Sequence, residues 1–99
     1  MEKTIHRRIF KDDKIIGVLM GTKVENGVVI TASQCALSKG DIFDKEFGKA
    51  LCVRRVWSFE GEGRIPTITK TMQPHLEGFA ARCMRYFRTD NIIYPIVRS

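Results

Sequence analysis

The segment IIGVLMGTKVENGVVITASQ, residues 15–34, constrains the fold more than any other part of the chain. Its first half, residues 15–24, is apolar on both faces, which a strand tolerates only inside a sheet. Its second half alternates, with Val28, Ile30 and Ala32 on one side and Val29, Thr31 and Ser33 on the other. Between them Asn26-Gly27 supplies the residue types that adopt positive φ, so a tight hairpin is predicted there. Upstream, residues 4–10 also alternate: Ile5, Arg7 and Ile9 share one face and Thr4, His6, Arg8 and Phe10 the other. That charged pattern fits an edge strand, joined to the hairpin by the polar turn KDDK. A three-stranded antiparallel meander is therefore expected.

The pattern then changes period. Residues 38–57 read as a helix, with Ser38 or Asp41 as its cap and Asp41 and Asp44 near the positive end of its dipole. At 100° per residue Phe43, Phe47, Ala50, Leu51, Val53 and Trp57 gather on one face, which is expected to lie on the sheet. Arg54 falls near the middle of that face, so its stem must run to the edge or its charge must be paired. EGEGRIP (60–66) breaks the helix, and TITKT (67–71) is long enough only for a loop or a stub of strand. Pro74 and Glu77 suit the first turn of a second helix, whose apolar stripe is Leu76, Phe79, Ala80, Cys83 and Phe87. Residues 92–97 resemble a last strand, confined by Pro95 to an edge or a bulge. The predicted fold is a single α+β domain over residues 1–99: a three-stranded antiparallel meander, two helices packed on one face, and a C-terminal edge strand, in the order β-β-β-α-α-β.

Ninety-nine residues support one core. The longest apolar run, residues 15–20, is far too short to span a bilayer, and residues 1–9 are too polar for the apolar part of a secretion signal, so a cytoplasmic protein without membrane association is expected. Seventeen Lys and Arg against eleven Asp and Glu give a net charge of +6, which favours an acidic partner: nucleic acid or an acidic protein surface. The excess is spread along the chain and is greatest beyond residue 60.

Three cysteines, Cys35, Cys52 and Cys83, are an odd and widely spaced set, better suited to reduced thiols than to a disulfide framework. With His75 they contain no pair at the spacing of a zinc knuckle, and no metal or cofactor is expected. His6 and His75 are the only histidines and neither stands in a recognisable catalytic setting, so no catalytic residue is assigned. A thiol-dependent enzyme using Cys35, at the exit of the third strand, is the competing class. None of the eight glycines assembles a phosphate-binding loop.

Two sets of residues are candidates for binding. Arg82, Arg85 and Arg88 lie on the polar side of the second helix, where spaced cationic side chains match spaced phosphates of DNA or RNA; a solvated helix face accounts for them equally. Gly48 sits inside the first helix at a cost of about 1 kcal/mol relative to alanine, which calls for a reason. Four residues from Cys52, it forms a small-residue groove on the side away from Phe43 and Phe47. Asp44, Lys45 and Arg55 frame that groove. A partner element, a second copy of the chain or another part of the same domain is expected to fill it.

These residues resemble a group of small bacteriophage proteins. Their shared pattern is a hairpin running into S-x-C, then D-x-F-D-K, then a glycine, a small residue and an arginine. It is carried here by Ser33, Cys35, Asp41, Phe43, Asp44, Lys45, Gly48, Cys52 and Arg55, covers residues 15–56, and departs at Cys52 and Val56, where alanine is expected. The resemblance implies phage or mobile-element origin and no particular activity. Combined with the basic charge, the expectation is a non-enzymatic, phage-type binding protein. It would occlude or redirect a host protein or protein–nucleic-acid complex that processes nucleic acid or serves defence. Direct DNA or RNA binding is the nearest alternative.

Overall fold

The computed structural model describes residues 3–34 and 44–98, the side chain of Lys45 excepted. Strand β2 (Lys14–Val24) runs antiparallel to both β1 (Thr4–Lys11) and β3 (Gly27–Gln34). Its central place explains its two-sided hydrophobicity, with Val18, Leu19 and Met20 all buried in succession. The β1–β2 hairpin closes at Lys11 and Lys14, with Asp12 and Asp13 at φ 51° and 65°. Short polar side chains of this kind tolerate the left-handed region better than most. The β2–β3 hairpin closes one residue earlier than predicted: Val24 pairs with Gly27, so Glu25 and Asn26 form the turn. Only Gly27 takes positive φ, 151°, and the Asn91 carbonyl stands where its Cβ would be. The glycine is needed for close approach as well as for backbone freedom.

The expected last strand is two stubs separated by Pro95. Strand β5 (Ile92–Ile93) pairs in parallel with β3, giving the sheet order β1-β2-β3-β5. After it, β6 (Ile96–Arg98) pairs in parallel with the short β4 (Thr67–Thr69) in a separate two-stranded sheet. Helix α1 (Lys45–Glu62) is capped by Asp44, whose Oδ1 accepts from the Glu46 and Phe47 amides at 3.0 and 3.1 Å, and ends at the left-handed Gly63. Asp44 is extended, so it takes the capping role expected of Ser38 or Asp41; those two lie outside the described residues. Helix α2 (Leu76–Phe87) follows a 3-10 turn, Gln73–His75, that contains Pro74 as predicted.

The helices do not share a face. Alternate residues of a strand point to opposite sides of its sheet. Val28, Ile30 and Ala32 of β3 pack in one cluster with Phe79, Ala80 and Cys83 of α2, whereas Val29 packs with Val56 of α1 and Val18 and Met20 of β2 with Cys52. The class is α+β as expected, but the sheet is sandwiched, with α2 on one side and α1 on the other. The physical reason lies in β2 and β3, which are apolar on both faces and so leave two surfaces to cover.

Helix α1 is also turned over relative to the expectation. Gly48, Cys52 and Val56 face the sheet, while Phe47 and Trp57 are 62% and 64% exposed, with Ala50 and Arg54 beside them. The sheet here presents Thr22, Thr31 and Ser33, all buried and of modest size. A ridge of small side chains lets the helix come close enough for the Ser33 hydroxyl to donate to the Gly48 carbonyl at 3.0 Å. A face of Phe47 and Trp57 would hold the helix away from that surface and cost the Ser33 hydroxyl its acceptor, adding a third unpaired hydroxyl to those of the buried Thr22 and Thr31. Gly48 is therefore explained by close approach to β3, and Arg54 stands in solvent.

Candidate anion-binding rim

Strand β1 is one edge of the sheet, with no described strand beyond it. Its side chains bring cations to both rims. Arg7 points toward α2, where its guanidinium lies 3.7 Å from the position a Cβ on Gly78 would occupy. Arg82 of α2 reaches the same strand, donating from Nη1 to the His6 carbonyl at 3.3 Å. On the other face, His6 and Arg8 point toward α1, which contributes Lys49.

The imidazole of His6 reports how these charges converge. Its pKa is lowered from 6.5 first by partial burial, then by Lys49, Arg8 and Arg82, while Glu46 opposes them. Each of the three cations therefore acts on one point of the edge. Among the described residues none of Arg7, Arg8, Lys49 and Arg82 forms an ion pair with a carboxylate; the Arg64–Glu62 pair, at 3.1 Å, is a surface pair of another segment. Chemically the rim is a set of hydrated cations on a β-edge, suited to several separated anionic groups.

The predicted residues distribute unevenly over this geometry. Arg82, Arg85 and Arg88 are all exposed, Arg88 in a left-handed cap at φ 56°. Arg82 belongs to the rim. Sequence reasoning placed His6, Arg7 and Arg8 on an edge strand but did not join them to Lys49 and Arg82, because that requires knowing which helix covers which face.

The second predicted set is corrected. Asp44 is engaged as the cap of α1, Gly48 is buried against β3, and Arg55, half-buried, donates from Nη1 to the Ala32 carbonyl. Gly48 and Arg55 hold the helix to the sheet instead of lining an outer groove, and a homodimer seam built on Gly48 and Cys52 has no exposed surface to use. Lys45 opens α1, and its side chain lies outside the described residues.

Cys52 is fully buried, and burial raises its pKa despite the Thr31 and Ser33 hydroxyls and Arg55, which lower it. Cys83, also buried, is pushed up to about 11. They lie on opposite faces of the sheet, so one metal ion cannot bind both. Cys35 lies outside the described residues, and among those described no cluster of three His, Cys, Asp or Glu is arranged to hold a metal. No described helix is long and apolar enough to cross a membrane. Compared with known proteins, the chain matches no family model, no curated protein and no solved structure.

Proposed function

We propose that the protein is a non-enzymatic binding domain whose cationic rim engages the phosphate backbone of nucleic acid. In the phage setting that the pattern in residues 15–56 suggests, this contact occludes or redirects a host nucleic-acid-processing or defence complex in the cytoplasm. The observation that carries the reading is the convergence of Arg8, Lys49 and Arg82 on His6, opposed there by Glu46 alone, with no described carboxylate in an ion pair with any of the three. Like charges held together repel, and a polyanion relieves that repulsion while releasing its own counterions. The two described thiols are enclosed and protonated at neutral pH, which speaks against a nucleophilic role for either.

Fluorescence anisotropy with labelled single-stranded DNA, duplex DNA and RNA tests this. Four phosphate contacts to duplex DNA give a log–log salt slope of about −3.6, or roughly 150-fold loss of affinity between 50 and 200 mM salt. Replacing Arg8 or Arg82 by Gln should make the slope shallower by about one unit each. Absence of binding to all three at 50 mM salt overturns the reading.

A second reading, contact with a host protein, is favoured by the outward pair Phe47 and Trp57 on α1. Aromatic side chains exposed to this degree are characteristic anchors of protein interfaces. Binding that survives high salt and is lost in Trp57→Ala would select it.

A further inference from the structure

On the β3 side of the sheet, away from the rim, Arg55 lies between two adjoining clefts. The tighter one is lined by Ser33, Gln34, Thr67, Thr69 and Arg98 as well as Arg55. The more open one adds Ser58 and Arg64. Among the described residues no aspartate or glutamate lines either cleft.

Arg55 is the informative residue. Strand β3 continues past the two residues that pair with β5, leaving the Ala32 carbonyl without a described strand partner on that side. One guanidinium nitrogen of Arg55 takes that place, and it is the side chain's described bond. A half-buried cation is thus set against a neutral carbonyl, with no described carboxylate to balance it. Cations removed from water are ordinarily paired, so this arrangement calls for an anion. Other donors are at hand: Gln34 accepts from Thr69 at its Oε1, which leaves its amide N–H groups without a described acceptor, and Gln34, Thr67 and Arg98 all line the same cleft.

We propose that this cleft binds a phosphate group, held between the guanidinium groups of Arg55 and Arg98 with Gln34 and Thr67 as further donors. The guanidinium fork matches two oxygens of a tetrahedral anion, and several forks and hydroxyls together suit phosphate better than a two-oxygen carboxylate. The phosphate group occupies the tighter cleft, where Arg55, Arg98, Gln34 and Thr67 meet. That group arrives as free phosphate or as the terminal phosphate of a chain whose remainder lies in the open cleft.

The test is calorimetric titration of the intact protein with inorganic phosphate, with sodium acetate at matched ionic strength as the control. Parallel titrations use one short oligonucleotide carrying either a 5′-phosphate or a 5′-hydroxyl. Saturable phosphate binding, weakened roughly tenfold in Arg98→Gln and unchanged in Arg8→Gln, is expected. A preference for the 5′-phosphorylated oligonucleotide identifies a terminal phosphate as the natural source; equal affinity for both identifies free phosphate. No phosphate binding, or acetate binding as tightly, overturns the proposal. Arg55→Lys, checked for fold by circular dichroism, keeps the charge and loses the fork, and unchanged phosphate affinity in that folded variant also overturns it. Because Arg8 belongs to the rim and not to the cleft, failure here is distinguishable from failure of the nucleic-acid reading.

Discussion

Substituting Gly21 by alanine tests how closely α2 is seated on the sheet. A Cβ added at this β2 position would stand 2.5 Å from the Cys83 sulfur, while Val28 and Phe79 would be in ordinary contact at 3.5 and 3.6 Å. Reaching even the short end of ordinary contact, 3.4 Å, requires the sulfur to retreat by about 1 Å. Cys83 is fully buried on a helix fixed by Phe79 and Ala80, so the helix must shift or the side chain must leave its rotamer. Overpacking of this kind costs about 1–3 kcal/mol, against which the entropy gained on replacing glycine returns ~0.5–1 kcal/mol. Gly21→Ala is therefore expected to destabilise by about 1–2 kcal/mol. Cys83→Ala, which deletes one buried heavy atom, should cost ~1 kcal/mol. In the double variant the new methyl occupies the vacated space, so its stability should return to within about 1 kcal/mol of the parent. Urea denaturation of all four proteins measures the coupling, and slopes unchanged among them confirm that only stability has moved. Additivity to within about 0.5 kcal/mol would show that Gly21 and Cys83 do not touch, and the seating of α2 would be wrong.

Three further outcomes are expected. Trp57, the single tryptophan, should be quenched by acrylamide in the native state almost as readily as in urea, and Trp57→Ala should change stability by about 0.5 kcal/mol or less; a protected indole and a loss of ~3–5 kcal/mol would restore the opposite orientation of α1. Cys52 and Cys83 should resist a thiol reagent until the protein unfolds, as read by mass mapping. The Cys83 thiol ionises near 9 when unfolded and near 11 when folded, so the native state binds more protons in that window. Stability should fall as pH rises from about 9 to 11, less so in Cys83→Ala.

The parts of the fold written in short-range pattern were legible. The two-sided apolar run of β2, the alternation of β3, and Pro74 ahead of the Leu76–Phe79–Ala80–Cys83 stripe each point to one local structure, and the chain forms it. What escaped depended on the partner surface. In α1 both Phe47–Ala50–Trp57 and Gly48–Cys52–Val56 form stripes at helical spacing, and bulk hydrophobicity favours the first. The choice is made by β3, whose Thr31 and Ser33 leave shallow room and a hydroxyl seeking an acceptor, which the bare backbone at Gly48 provides. The same limit hid the rim: His6, Lys49 and Arg82 are 43 and 33 residues apart in sequence, and only helices on opposite faces bring both cations to one edge strand. Arg55 was singled out by its donors, yet nothing in the sequence indicated that one of them would complete the edge of β3.

Positive charge gathers around His6, and titration of its imidazole by NMR measures that directly, with His6→Gln used to separate its signal from that of His75. The pKa should lie below 6.5 in the free protein, rise toward it in Lys49→Gln, Arg8→Gln and Arg82→Gln, and rise further when a nucleic acid occupies the rim. The folded pKa is depressed, so the unfolded chain binds more protons and stability should decline as pH falls through 6.5, a slope that His6→Gln removes. A pKa at or above 6.5 that is indifferent to all three substitutions and to added nucleic acid would contradict the account.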